Sequence, residues 1–203
     1  MNPPSPESPA ELAARKRALR REMRARWRAL SSAERAAASA ALRERLRATP
    51  TWRAAETVLF FAPLPDEPDL WPLLEEALRE GRRVALPRFR ADDDRFEPVE
   101  VRDPARDLNP GAFGIREPGP ASPLLPPNRL DLTLVPGLAF GEDGKRLGRG
   151  RGYYDRLLPM LGGVFCGVAM DWQVWPSVPA GPLDQLVNEI VTPTRWLPAR
   201  PVR

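Results

Sequence analysis

The sequence predicts an α/β fold: a layered αβα sandwich around a mainly parallel sheet, preceded by a helical, basic N-terminal arm. Three observations carry this. Short apolar runs rich in strand formers, "TVLFFAP" (57–63), "RRVALPRF" (82–89), "DLTLVPGLAF" (131–140) and "GVFCGVAM" (163–170), recur along the chain. A helical stretch with brief connections separates the first two, the order of a parallel sheet. The first fifty residues contain no such run but carry apolar residues at helical spacing.

Leu12, Leu19, Met23, Trp27 and Leu30 recur at multiples of three and four, so residues 11 to 30 form an amphipathic helix. Ser31 or Ser32 caps a second helix that reaches about Ala48, with Glu34 or Arg35 in its first turn. "TVLFFAP" is a buried strand ended by proline. "DLWPLLEEALREG" (69–81) is a helix closed by Gly81, with Pro72 tolerable only in its first turn. "RRVALPRF" is the next strand, and the alternating "RFEPVEV" (95–101) is a hairpin or edge strand. Residues 102 to 130, rich in proline and glycine, form an ordered loop region over the sheet. A strand over 131–135 ends at Pro136; "GYYDRLLPML" (152–161) is helical, "GVFCGVAM" a strand and "NEIVTP" (188–193) a short last strand. Residues 1–10 carry four prolines and no apolar run, so they are expected to be a disordered tail before a single domain spanning 11–203.

Composition narrows the chemistry. The chain has no histidine, which excludes histidine-based triads, zinc held by imidazole and imidazole acid–base catalysis. Its single cysteine, Cys166, rules out an intrachain disulfide and fits a reducing, cytoplasmic setting. No run approaches the roughly 20 apolar residues of a membrane span. Of 31 basic residues only Lys16 and Lys145 are lysine. Residues 11 to 53 hold thirteen basic and four acidic side chains, so the arm faces something anionic. Nucleic acid is one such partner, but no aromatic-interleaved platform accompanies the charge.

The stretch "RLGRGRGYYDRLL" (146–158) sets Gly148, Gly150 and Gly152 at alternate positions, between arginines, at the start of a helix that follows a strand. Ligands of open α/β sheets bind beyond the carboxyl ends of strands, and free N–H groups there favour anions. Arg146, Arg149 and Arg151 add charge. The spacing matches neither the P-loop nor the dinucleotide fingerprint. A tight connection and a phosphate cradle fit this pattern equally on local grounds. Asp155, in the first helical turn, either complements the helix dipole or holds Mg2+ beside bound phosphates. Lys16 and Arg20 share a face of the first helix; on spacing alone they form a solvated basic face.

With these residues laid out, the chain resembles the 5-formyltetrahydrofolate cyclo-ligase family, also called methenyltetrahydrofolate synthetase. The resemblance rests on "LVPGLAFGEDGKRLGRGRGYYDRLL" (134–158), with "KRALR" (16–20), "PDEP" (65–68), "LPRF" (86–89), "FGIREP" (113–118) and "IVTP" (190–193) in the family's order. It spans nearly all of residues 12 to 195. It implies an ATP- and Mg2+-dependent enzyme, a ligase of one-carbon metabolism that closes 5-formyltetrahydrofolate to 5,10-methenyltetrahydrofolate with release of ADP and phosphate. The formyl oxygen would be activated by phosphoryl transfer.

The resemblance also implies roles. Lys16, Arg20 and the run Arg146, Leu147, Gly148, Arg149, Gly150, Arg151, Gly152, Tyr153, Tyr154 would bind ATP. Glu67, with Arg149, Gly150, Arg151, Gly152 and Tyr153, would bind the folate, and Glu67 would meet its pterin. Asp155 and Asn188 would hold the metal, Asn188 standing where the family often has aspartate; Asp184 and Glu189 are neighbouring substitutes. The expected partners are these small molecules alone, with no nucleic acid or membrane, and the expected state is a monomer. The alternative within this fold is a folate or nucleotide binder without turnover; an ATP-independent sugar-phosphate isomerase or acyl-CoA transferase is a more distant one.

Overall fold

The structure, a computed structural model, describes residues 8–111 and 114–199. Phe113 of the "FGIREP" motif and residues 1–7 of the expected tail lie outside the described residues. The first helix, α1 (Pro9–Ala29), begins two residues earlier than its apolar pattern does. The Ser8 side chain accepts from the Glu11 N–H at 3.3 Å, and the Glu11 carboxylate accepts from the Ser8 N–H at 2.8 Å. This reciprocal cap draws Pro9 and Ala10 into the first turn, where proline lacks only an N–H that has no helical partner. Ser31 and Glu34 form the same box at the start of α2 (Ser32–Ala48), and a short α3 (Pro50–Ala54) follows.

The chain then enters the sheet through β1 (Thr57–Leu59), crosses by α4 (Trp71–Arg79) and returns in β2 (Arg83–Arg90). Pro72 lies in the first turn of α4, as its missing N–H requires. β3 (Arg95–Val101) pairs antiparallel with β2 as a hairpin. Within 102–130, read from the sequence as an ordered loop region, lie α5 (Pro104–Asp107) and the ribbon β4 (Leu108–Pro110) and β5 (Arg116–Pro118). Next come β6 (Leu132–Pro136), β7 (Ala139–Gly141), β8 (Arg146–Leu147), α6 (Tyr153–Leu157), β9 (Val164–Val168) and β10 (Val174–Trp175). β11 (Glu189–Val191) matches the strand expected at "NEIVTP", but it is not the last: β12 (Trp196–Pro198) folds back antiparallel beside it.

The main sheet has seven strands in the order β12-β11-β9-β6-β1-β2-β3. The five inner strands are mutually parallel, and the two edges are antiparallel. On one face Leu42 and Leu46 of α2, Trp52 of α3 and Leu73, Leu74 and Ala77 of α4 pack against Val58, Leu132, Leu134, Cys166 and Val191 of the strands. On the other, Leu158 just beyond α6 packs with Val135 and Ile190. The result is the expected αβα layering. Each fully buried leucine or valine stabilises this arrangement by about 1.5–3 kcal/mol relative to exposure.

The basic arm is not detached. Met23 of α1 is buried with Leu138, Ala139, Leu147 and Val178 against the small sheet β10-β7-β8. The indole N–H of Trp27 donates to the Pro65 carbonyl at 3.2 Å, which ties the C-terminal part of α1 to the loop after β1. The charged face of α1 is thereby set across one end of the main sheet. From β1 the chain builds outward to β2 and β3, then returns to place β6 on the other side of β1. The carboxyl ends of β1 and β6 are neighbours whose continuations part, and such a switch point leaves a crevice.

Candidate active site

A cavity of about 940 Å³ occupies that crevice. The segment after β1 supplies Phe61, Ala62, Leu64 and Glu67; the path from β6 to α6 supplies Pro136, Gly137 and residues 146–156; α1 lays Lys16, Arg20 and Arg24 across the opening. Seven basic side chains line it against three acidic ones, Glu67, Asp155 and Asp184. A cavity with that surplus concentrates anions.

Gly150 and Gly152 adopt φ of 102° and 69°, backbone that side-chain-bearing residues rarely take. The turn they allow brings the chain to α6 with the Arg20 guanidinium packed over Gly150 and its Nε donating to the Gly148 carbonyl at 2.9 Å. α1 and the glycine loop are therefore one unit, which their spacing of more than a hundred residues conceals. α6 is only five residues long. Its dipole is correspondingly slight, so the cationic side chains rather than a helix terminus give this end of the cavity its charge.

The cations are held by carboxylates. Lys16 Nζ pairs with Asp184, whose Oδ2 also accepts from the Gly181 N–H. Arg146, 3% exposed, donates from Nη2 to Asp155 Oδ1 at 2.6 Å and lies over the Tyr154 ring. Arg149 is gripped twice: its two terminal nitrogens donate to Asp66 at 2.5 and 3.0 Å, and its Nε donates to Glu67 Oε1 at 3.0 Å. Burial, and then the neighbouring Arg24, pull the Arg20 guanidinium below its ordinary value, while Asp184 and Asp155 act the other way.

The far wall differs in character. Phe96 and Tyr153 line it, stacked edge to face with each other and with Phe89 behind them at centroid distances of 5.1–5.8 Å, an apolar surface suited to a flat ring system. Beside it sits Glu67, its Oε2 accepting from the Leu64 N–H at 3.0 Å. Burial raises the Glu67 carboxyl above its usual range despite Arg149. Burial likewise pushes the Tyr154 phenol up, with the Glu67 charge adding to it.

Every expected site residue but one lines this cavity. Leu147 does so while packed into the cluster under α1, which makes it a support for the loop. The exception is Asn188. Its Oδ1 accepts from the Phe165 N–H at 2.7 Å, its own N–H donates to the Phe165 carbonyl at 2.8 Å, and its carbonyl accepts from the Ala199 N–H. It is an exposed clamp between strands and is not brought to Asp155. Its place explains this: Asn188 immediately precedes β11 and is tied to Phe165 near the start of β9, at the amino ends of these strands, whereas the crevice lies at the carboxyl ends of β1 and β6. Glu189 is also outside the cavity, accepting from Thr51 and Trp196. Asp184 is the acidic neighbour that does face Asp155's end of the cavity, and Gln185 links the two, its N–H directed at Asp155 Oδ1 at 3.3 Å. Among the described residues no group of three or more histidine, cysteine, aspartate or glutamate side chains could hold a metal.

Sequence reasoning missed Arg24, although its spacing continues the Lys16–Arg20 series, and passed over Asp66. Nothing in the local sequence marks Phe96 or Leu183 as lining residues.

A sequence model of the 5-formyltetrahydrofolate cyclo-ligase family matches residues 12–193. The 5-formyltetrahydrofolate cyclo-ligase of Mycolicibacterium smegmatis is 35% identical over 156 residues, covering 72% of this chain and 78% of that protein. The enzyme of the same name from Mus musculus is 28% identical over 187 residues, covering 87% and 92%. The solution structure of Aquifex aeolicus 5,10-methenyltetrahydrofolate synthetase superposes with a TM-score of 0.82 at 34% identity, over 93% of this chain and 94% of that one. These matches fall on the segments that build the cavity as well as on its scaffold, and the chain belongs to the 5-formyltetrahydrofolate cyclo-ligase family, an enzyme of the ligase class.

Proposed function

We propose that this protein closes 5-formyltetrahydrofolate to 5,10-methenyltetrahydrofolate at the expense of ATP, with Mg2+, acting as a cytoplasmic monomer. The observation that carries this is the pairing, in one cavity, of a cationic wall with an apolar wall that ends in a buried carboxylate. The first suits a polyphosphate and the second a flat heterocycle bearing N–H donors.

Phosphoryl transfer needs alignment and charge neutralisation more than a protein nucleophile, so a chain without histidine can perform it. The formyl oxygen attacks the γ-phosphorus and the bond to ADP breaks. The substrate's second nitrogen then attacks the activated carbon, loses its proton, and the carbon–oxygen bond breaks to release phosphate. Lys16 and Arg20 would hold the phosphates in line, Arg149 would neutralise charge on the transferred group, and Glu67 would orient the pterin through its N–H groups. The aromatic wall excludes water that would otherwise hydrolyse the activated intermediate.

The residues present fit magnesium in a particular way. Mg2+ takes one or two carboxylates and draws its other ligands from phosphates and water, so a site with Asp155, and Asp184 nearby, is adequate without a protein cage. Such an ion would neutralise charge on the β- and γ-phosphate oxygens. The test is a steady-state assay of methenyltetrahydrofolate by its near-ultraviolet absorbance, with 5-formyltetrahydrofolate and Mg2+, with and without ATP. Strictly ATP-dependent product is expected; binding of both substrates without product would replace this reading with that of a non-catalytic binder.

A further inference from the structure

Asp66 lies outside the cavity lining yet holds the guanidinium that crosses it. Its carboxylate receives both terminal nitrogens of Arg149 end-on, at 2.5 and 3.0 Å, across 83 positions of sequence. In that orientation Arg149 meets Glu67 through Nε, at Oε1, while each terminal nitrogen keeps a second N–H that Asp66 does not take. Among the described residues, Glu67 Oε2 is engaged by the Leu64 N–H alone. Each carboxylate oxygen accepts two hydrogen bonds, so in this arrangement Glu67 keeps room for further donors.

Guanidinium has two bidentate edges, end-on through both terminal nitrogens and side-on through Nε and one of them. If the end-on edge were released, the guanidinium would be free to turn until a terminal N–H joined Nε on Glu67 and closed a second fork. Glu67 is the more buried of the two carboxylates, its side chain 9% exposed against 29% for Asp66. A charge pair there is poorly screened by water, so the alternative fork would be strongly favoured. We propose that Asp66 is a positioning residue that keeps Glu67 open to the substrate by holding Arg149 on its end-on edge; this rests on the reading of Glu67 as the acceptor of the pterin's N–H groups.

The experiment is calorimetric titration of 5-formyltetrahydrofolate into the wild type, Asp66→Asn, Arg149→Ala and the double variant. Asp66→Asn should raise the dissociation constant about five- to tenfold, the scale of one charge-assisted hydrogen bond that must be displaced. In the Arg149→Ala background the same change should alter it by less than about twofold, because no guanidinium remains to swing across. Asp66→Ser, which removes the fork by a different side chain, should reproduce the single-variant result. Equal weakening in both backgrounds, as a merely structural role gives, would overturn the proposal, and so would no weakening at all. Glu67→Gln is titrated alongside: folate binding unchanged by that variant would overturn the reading of Glu67 itself, and the proposal with it.

Discussion

On the wall formed by α1 and residues 146–152, the working groups are long cations, and three of them lean on carboxylates: Lys16 on Asp184, Arg146 on Asp155, Arg149 on Asp66 and Glu67. In the wall of Phe96 and Tyr153, backed by Phe89, the rings are held by edge-to-face contact with one another, by the β2–β3 hairpin and by the Arg156 guanidinium lying over Tyr153. The first wall is adjustable, since ion pairs can exchange partners, and the second is preformed, since packed rings have nowhere to go. Three ion-paired cations offset part of the first wall's surplus, and on the proposed reading an arriving polyphosphate would take them over.

Substitutions separate the two walls by what they cost. The largest effects are expected from Arg149→Ala and Asp155→Ala, each lowering kcat/KM by about 10²–10³-fold, the scale of removing a group that stabilises transition-state charge. Both variants should also lose about 1–3 kcal/mol of stability, since Asp155→Ala leaves the buried Arg146, and Arg149→Ala leaves Glu67, without its partner. Near-wild-type turnover in both, assayed well below the unfolding transition, would refute the assignment of the cationic wall. Glu67→Gln should raise the KM for folate by about 10–100-fold while leaving that for ATP within about twofold, matching loss of a charged hydrogen-bond acceptor. A rise in both constants would show that the walls are not separable. Because burial raises the Glu67 carboxyl, folate affinity in the wild type should fall as pH drops through a midpoint above the ordinary glutamate value of about 4.3. Only the ionised form offers acceptors alone, so protonation weakens binding; titrations across pH would locate the limb, and its absence in Glu67→Gln identifies the group.

A smaller change is expected from Lys16→Ala, about tenfold in the KM for ATP with folate binding unaltered, as one charge-assisted phosphate contact is lost. The smallest is Asn188→Asp, which should leave the Mg2+ dependence of turnover as it was. Thermal stability should also stay within about 0.5 kcal/mol, because a carboxylate oxygen at this exposed position still accepts from the Phe165 N–H. A shift in the apparent magnesium affinity would reinstate Asn188 in the metal site.

The helices and strands were legible because their signals are local. Ser31 with Glu34, Pro72 one residue into α4 and the apolar run ending at Pro136 each declare an element within a few residues. Ser8 and Glu11 declare one too, and reading their box would have started α1 at Pro9. The glycine loop was equally plain, since alternate glycines before a helix start have few uses. Asn188 was misplaced for the opposite reason. Whether a residue at a strand's edge faces a site or a neighbouring strand depends on register, and the register of β11 against β9 is set by pairing with Cys166, Gly167 and Val168.

By itself the sequence determined the α/β layering, the absence of imidazole and disulfide chemistry, and the loop and helix that carry Lys16, Arg20 and Gly148 to Gly152, because composition, periodicity and capping act over short distances. Only the tertiary structure decided that α1 crosses the carboxyl ends of β1 and β6, that Arg20 closes over Gly150, and that Arg149 meets Asp66 and Glu67. Those contacts join residues some eighty to a hundred and thirty positions apart. Their free energy depends on burial and geometry that exist only once the sheet has brought the strand ends together.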